Sequence, residues 1–370
     1  MSKFLWFSWK DKTHPLAGGA EVISTELQKG LIAQGHEVTL ITSMYSGARK
    51  EEIINGITVI RLSAPRVLLP FISVLYYLTK LRGKADYLIE EVNTAPYLLN
   101  YFKKKERVAL LFHQLAEEVW DYEFSFPFNL LGRYVLEPTA LYLNKISKRT
   151  VVMSESTKKG LLKYGYTEST VAIISEATDL QKLQPNETIK KAQDFTVTYF
   201  GSMRHMKRPE EVIKAFASSL RGTSAKLLLA GGANEKRAKE LLELVDTLGL
   251  SEQTTWMGRI SDQEKRELFK KSHVVCMTSI KEGWGIVIME AAFFEAAGVV
   301  YDVDGLREAV IDKKTGIIVK SNTFEKLGEA LKFLYEHPDI CKKLGENARE
   351  FNEKFSFERT CAEFIASIEK

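Results

Sequence analysis

Two carboxylates stand eight positions apart in the run Lys281-Glu282-Gly283-Trp284-Gly285-Ile286-Val287-Ile288-Met289-Glu290. Glu282 lies in a glycine-rich turn, and Glu290 falls about two helical turns further on if a helix begins near Gly285. The free N–H groups of such a helix would point at an anion near Glu282. N–H groups suit phosphates and carboxylates suit sugar hydroxyls, so the run fits a ligand that carries both, such as a nucleotide diphosphate sugar.

Four further groups could do chemistry. Gly18-Gly19, followed by Ala20-Glu21, comes after a first apolar segment and opens a helical pattern. Glycine there lets backbone approach a substrate or phosphate closely, although glycine pairs also simply end loops. The usual dinucleotide fingerprint is missing, which removes support for a nicotinamide cofactor. His113 ends the apolar run Leu110-Leu111-Phe112, at a strand end where α/β sheets carry function. It can donate to a sugar hydroxyl or a phosphate, or be satisfied by a neighbouring carbonyl. Gly201-Ser202-Met203-Arg204-His205-Met206-Lys207-Arg208-Pro209 sets cations between a strand and a helix, where they could neutralise a diphosphate rather than only face solvent. Asp302-Val303-Asp304 has metal-like spacing but no further clustered ligand, and reads as a strand end and turn.

These residues need a scaffold. At 370 residues the chain exceeds one ordinary core, so two domains are expected. The 45% hydrophobic and 27% charged content reads as soluble and globular. A net charge of +4 is too mild to argue for nucleic acid. Cys276, Cys341 and Cys361 are scattered, which fits a reducing compartment, and the N-terminus shows no secretion signal.

Strand signals fall at 3–9, 37–42, 56–62, 87–90, 108–112 and 149–153, with a helical face at 19–34 and Ser154 as a cap. A second series has strands at 195–200, 225–230, 254–257, 274–277 and 298–302, with helices at 209–219, 235–248 and 286–297. Two helical segments, 324–336 and 357–368, close the chain. Alternation of this kind predicts parallel sheets with helices on both faces. The expected division is 1–180, a polar linker at 181–194 containing Pro185, 195–352, and a last helix within 353–370 that packs back on the first domain.

One surface feature stands apart. Between Ile53 and Ala85 there is no acid, while Arg66, Lys80, Arg82 and Lys84 flank an apolar run at 67–78. The run is too short to span a bilayer but could lie in its interface, or be a buried helix with a solvated basic end. The aromatic segment 120–128 reads as a loop packed on the core or as part of a binding surface.

Taken together, these residues make the chain resemble a retaining glycosyltransferase of the GT-B fold, in glycosyltransferase family 4. The strongest element is the Glu-x7-Glu pattern of Glu282 and Glu290, with Trp284 where the family usually has Phe. The glycine loop at Gly18-Gly19, the segment from His113 through Glu118 and Trp120, the preceding Glu91-Val92-Asn93 and Pro96, Asp304-Gly305-Leu306-Arg307 and Thr315-Gly316 also match. The resemblance implies two Rossmann-like domains facing each other across a cleft. It implies that Glu290 binds the ribose, and that Glu282 and the backbone of Gly283, Trp284, Gly285 and Ile286 hold the donor sugar. Lys207 would contact the diphosphate, Arg259 would lie near the base, and His113 would contact the donor sugar by the reacting carbon. Ser202 stands after Gly201 where the family has an arginine, and Arg204 is the nearest substitute. Ser175-Glu176-Ala177-Thr178 also replaces the usual Pro-Asn-Gly-Val.

The expected reaction transfers a sugar from a nucleotide diphosphate donor to a glycan or lipid-linked acceptor, with no cofactor or metal and no nucleic-acid partner. The expected place is the cytoplasm, peripheral to the inner membrane surface. Nucleotide-sugar epimerisation and non-catalytic sugar-nucleotide binding are the competing readings. A phosphorylase reading would need a pyridoxal-binding lysine, and nothing singles one out.

Overall fold

The structure is a computed structural model that describes residues 1–92, 96–175 and 188–369. Asn93, most of the 175–178 departure and the first part of the expected linker, with Pro185, lie outside the described residues. The chain forms two compact units, one of Met1–Asp179 with Phe355–Lys370 and one of Leu180–Lys354.

In the first unit β1 (Lys3–Phe7), β2 (Glu37–Ser43), β3 (Glu51–Ile54), β4 (Ile57–Leu62), β5 (Tyr87–Glu91), β6 (Arg107–Phe112), β7 (Thr150–Val152) and β8 (Val171–Ile173) form one sheet ordered β3-β4-β2-β1-β5-β6-β7-β8. All pairings are parallel except the β3–β4 hairpin. Strands β3 and β8 escaped the sequence reading, because β3 is a half-exposed edge strand with no apolar run and β8 is only three residues long.

The helices of this unit are α1 (Gly19–Ala33), α2 (Leu69–Tyr76), α3 (Val119–Glu123), α4 (Phe128–Leu131), α5 (Glu137–Asn144) and α6 (Glu155–Lys163). Ser154 caps α6 by accepting the Thr157 N–H at 3.2 Å. The C-terminal helix Phe357–Glu369 packs on α1 and β7. Its Phe364 ring centroid lies 5.6 Å from that of Trp6. Its Cys361 fills the space beside Gly30, where an added Cβ would come within 2.2 Å of the sulfur.

The second unit has a six-stranded parallel sheet, β11-β10-β9-β12-β13-β14, from β9 (Thr196–Phe200), β10 (Lys226–Ala230), β11 (Thr254–Gly258), β12 (Val274–Met277), β13 (Ala297–Tyr301) and β14 (Gly316–Val319). Its helices are α7 (Pro209–Leu220), α8 (Glu235–Thr247), α9 (Asp262–Lys271), α10 (Ile286–Ala292), α11 (Leu306–Ala309), α12 (Phe324–Glu336) and α13 (Pro338–Asn352). Continuous apolar strands such as Val274–Met277 are buried throughout, as a sheet covered on both faces requires.

Two expectations are corrected here. Three helices, not two, close the chain, because α13 starts at Pro338 directly after α12. The helix expected over 286–297 stops at Ala292, since the chain must reverse through Glu295 at φ +57° to enter β13.

Candidate functional site

In the first unit the functional candidates gather at the carboxyl ends of three neighbouring strands. Ser8 follows β1, Glu91 ends β5 and His113 follows β6. Glu91 accepts from the Trp6 indole N–H and, at 2.7 Å, from the Ser8 hydroxyl. His113 Nε2 lies 3.2 Å from the Ser24 hydroxyl on α1 and 3.9 Å from Glu91 Oε2. Its Nδ1 is buried without a hydrogen-bond partner among the described residues. Burial pushes Glu91 up to about 7. Burial, with the Lys10 charge added, holds His113 down to about 4. The imidazole is therefore uncharged at neutral pH and offers hydrogen bonds rather than a positive charge.

The Gly18–Gly19 turn starts α1, but its anion is the chain's own. Glu21 accepts the Gly18 N–H at 2.6 Å and pairs with Lys10 at 3.1 Å. The acid three residues into the helix thus occupies the end that the sequence reading offered to a ligand.

In the second unit three loops leave the carboxyl ends of adjacent strands and are stitched together by backbone. Gly201 donates to Ala230, Gly231 to Gly258 and Met203 to Gly232, at 3.0, 2.7 and 2.9 Å. Gly231 must be glycine: its φ is +143°, and an added Cβ would lie 1.7 Å from the Gly201 carbonyl oxygen. Arg259, on the loop after β11, lies over Gly232, within 2.6 Å of where a Cβ would stand. Arg204 is exposed, with its Nε 3.3 Å from the Ser202 hydroxyl. Arg204 and Ser202 thus share one loop.

Lys207 ends the single turn His205–Lys207, and its ammonium donates to Glu282 Oε1 at 2.6 Å. The Ser279 hydroxyl donates to the same oxygen at 2.5 Å. The Glu282 N–H is held by the Asp304 carbonyl at 3.1 Å, and Lys281 pairs with the Asp304 carboxylate at 3.4 Å. Asp302 and Asp304 both engage Arg307, so these acids serve a turn. Gly285 opens α10 at φ +90°, where a Cβ would press on Leu306 at 2.9 Å. Ile286 and Trp284 flank it, both half-buried.

Glu290 is buried on α10 and accepts from Lys265 of α9 at 2.8 Å. The two acids of the opening motif thus share one design, each a buried carboxylate paired with a lysine from a different element. The helix expected near Gly285 does begin there, with Gly285 as its N-cap, and runs for seven residues.

The structure brings together Lys207 with Glu282, and Gly201 with the Arg259 loop. It places His113 with Glu91 and Ser24. Sequence reasoning missed Lys265, Ser279 and Ser24. Lys265 sits on a helix whose polar face reads as solvated, and its partner is 25 positions away. Glu91 carried a usable signal, an acid ending an apolar strand beside the strand that ends at His113.

Two open parallel sheets, each with polar side chains at the carboxyl ends of its strands, define the class of GT-B glycosyltransferase folds. Residues 17–182 match Glycosyltransferase Family 4 and residues 181–351 match Glycosyl transferases group 1. The chain belongs to this glycosyltransferase family. It is similar to the D-inositol 3-phosphate glycosyltransferase of Rhodococcus erythropolis, at 25% identity over 60% of this chain and 54% of that protein. The chain spans about half the length of such curated relatives. The fold is similar to a sucrose-phosphate synthase from Thermosynechococcus elongatus, with TM-score 0.80, 20% identity and coverage of 98% of this chain and 97% of that one. It is also similar to Anabaena Alr3699/HepE, solved with UDP and glucose, with TM-score 0.77, 17% identity and coverage of 99% and 100%.

Proposed function

We propose that this protein transfers a sugar from a nucleoside diphosphate donor to a glycan or lipid-linked acceptor, with retention at the anomeric carbon, at the cytoplasmic face of a membrane. The observation that carries the reading is the Lys207–Glu282 pair at 2.6 Å, set at the carboxyl end of the second sheet with the Lys265–Glu290 pair on the same unit. A similar fold that holds UDP and glucose supports a nucleotide donor.

In the transfer, the bond between the anomeric carbon and the diphosphate oxygen breaks. The acceptor oxygen bonds to the same face of the sugar, and its proton passes to the leaving diphosphate. Lys207 and Arg204 meet the charge that develops there. Glu282 and the Gly283–Ile286 backbone hold the donor sugar, Glu290 the ribose, and Arg259 lies by the base. His113, uncharged, hydrogen-bonds a hydroxyl of the donor sugar. The reading needs no cofactor and no divalent ion, so activity should persist in excess chelator.

A thermal-shift screen of UDP-, GDP- and ADP-sugars tests it. A true donor stabilises the fold by about 2.7 kcal/mol at a hundred-fold excess over its Kd. NMR of the product anomer then checks retention. Conversion of the donor sugar without acceptor would make the protein an epimerase. Binding without turnover over a broad acceptor panel would make it a binder. No shift with any donor would sink the proposal.

A further inference from the structure

The helical layer on one side of the first unit carries exposed apolar groups that its core does not use. Leu69, Ser73 and Tyr77 point inward, while Val67, Phe71 and Leu75 are 76%, 73% and 60% exposed. Their spacing of four residues makes an outward apolar stripe from the turn before α2 along the helix, so α2 is apolar on two sides. Further along the chain, Phe126, Phe128 and Tyr134 are 77%, 65% and 64% exposed around α4. Of the aromatic segment 120–128, read as a loop packed on the core or as a binding surface, only Trp120 is buried, and its indole donates to Glu137 at 3.0 Å.

These segments share one layer. The strand order runs one way from β1 to β4 and the other way from β5 to β8. Right-handed crossovers then place α1 on one face of the sheet, and α2, residues 96–105 and α3–α5 on the opposite face. The Tyr101 hydroxyl, donating to the Leu143 carbonyl at 3.0 Å, ties residues 96–105 to α5.

The same layer is basic where its segments re-enter the sheet. Residues 80–84 hold Lys80, Arg82 and Lys84 before β5, residues 103–105 are three lysines before β6, and residues 145–149 hold Lys145, Lys148 and Arg149 before β7. These strands are neighbours, so the cations line the amino edge of the sheet, opposite the edge that carries His113. Glu106 is buried and holds two of these turns together. It accepts from Gly83 N–H at 2.5 Å, from Lys104 and Lys105 N–H at 2.7 and 2.9 Å, and from the Tyr77 hydroxyl at 2.9 Å. Within residues 65–85, 96–105 and 124–149 the only acid is Glu137, which is buried. The acids at the margins are engaged: Asp86 accepts the Lys3 N–H at 2.8 Å, and Asp121 and the exposed Glu118, the latter at 3.6 Å, both pair with Arg133. Glu123 is an exposed acid at the edge of the aromatic segment.

We infer that this layer is a docking face for an anionic lipid bilayer. The α2 and α4 apolar side chains enter the interface, and the lysine rim meets lipid phosphates. A second copy seated on the same face would bring one acid-poor basic surface against another. The apolar groups favour a bilayer over a nucleic acid. Among the described residues no helix is long and apolar enough to cross a membrane, so the contact is superficial. The inference deepens the reading of a membrane-side acceptor by naming the surface that would bring the chain to it.

Flotation of the full chain with vesicles of phosphatidylcholine and phosphatidylglycerol in equal parts tests it, against vesicles of phosphatidylcholine alone. Binding is expected only to the anionic vesicles, weakening as salt is added. Lys103→Glu/Lys104→Glu/Lys105→Glu should lower vesicle affinity about a hundred-fold or more. Phe71→Ser/Leu75→Ser should lower it at least about tenfold. Both variants change exposed side chains and should keep the wild-type melting curve and donor-induced shift. Absence of wild-type flotation, equal binding to both vesicle types, or wild-type affinity in both variants overturns the inference. So does preferential capture of single-stranded DNA, or dimerisation in sedimentation abolished by the same variants. Failure of every sugar nucleotide to shift the melting curve would sink the transferase reading and leave the flotation result standing.

Discussion

The two candidate clusters, one in each unit, handle buried charge in opposite ways. In the second, both motif acids face a lysine, Glu282 with Lys207 and Glu290 with Lys265. In the first, Glu91 and His113 are buried beside hydroxyls and an indole, and among the described residues no lysine or arginine pairs with Glu91. There burial raises the acid to about 7 and lowers the imidazole to about 4, so both sit near or in their neutral forms. A site of paired ions is prepared for a charged ligand, because cation and anion are already ordered and can exchange partners. A site of neutral donors and acceptors is prepared for hydroxyls. Under the proposed function, Lys207 of the paired cluster would meet the diphosphate and His113 of the neutral cluster a sugar hydroxyl.

The largest break of this comparison is Lys207→Ala. Loss of the cation should reduce turnover about 10²–10³-fold. It should also destabilise the protein by leaving Glu282 without its counter-ion, and Lys207→Ala/Glu282→Ala should recover part of that stability. Unchanged turnover in Lys207→Ala would remove the charged half of the comparison. Next in size is His113→Gln, with an expected loss of about tenfold in kcat, the value of one hydrogen bond, and unchanged affinity for the nucleoside diphosphate. Calorimetry showing weakened nucleotide binding instead would mean that His113 serves the phosphates.

Glu91→Gln is read on stability instead of turnover, as melting temperature against pH. The folded state binds the Glu91 proton more tightly than the unfolded chain, so its contribution is full below about 4.5 and fades as pH rises to about 7. Gln is neutral throughout and should gain on the wild type across that window, by at most about 3 kcal/mol, then hold a constant lead. His113 acts with the opposite sign: its lowered pKa costs stability as pH falls from about 6.5 toward 4. That term is common to both proteins, so a lead that does not change with pH would show that burial of Glu91 is not the cause.

Much of the scaffold is written locally. The apolar strands and the capped helices announce themselves over a few residues, and β12 falls where its run Val274–Met277 places it. What escaped was either too short or too polar. Strand β14 is only four residues, and α9 buries Leu268 and Phe269 on an otherwise charged helix. Its capping box, Ser261 with Glu264, was the readable sign. The site was legible as residue types at loop positions, and the paired acids were found from spacing alone. The partners were not, because Lys207 lies 75 positions from Glu282 and nothing local ties them. The end of α10 was misjudged for a related reason: Phe293 to Ala297 is as apolar as a helix face, and the start of a buried strand claims it.

The C-terminal helix has a consequence for the order in which the protein can be made. The first unit needs residues 355–370 to cover Trp6 and the surface of α1 around Gly30, whereas the second unit is one unbroken stretch. During synthesis the first 179 residues emerge early yet lack a piece of their own core, and the later unit has all of its residues in hand first. The usual sequence of N-terminal completion before C-terminal folding is reversed, with the final segment closing the beginning of the chain.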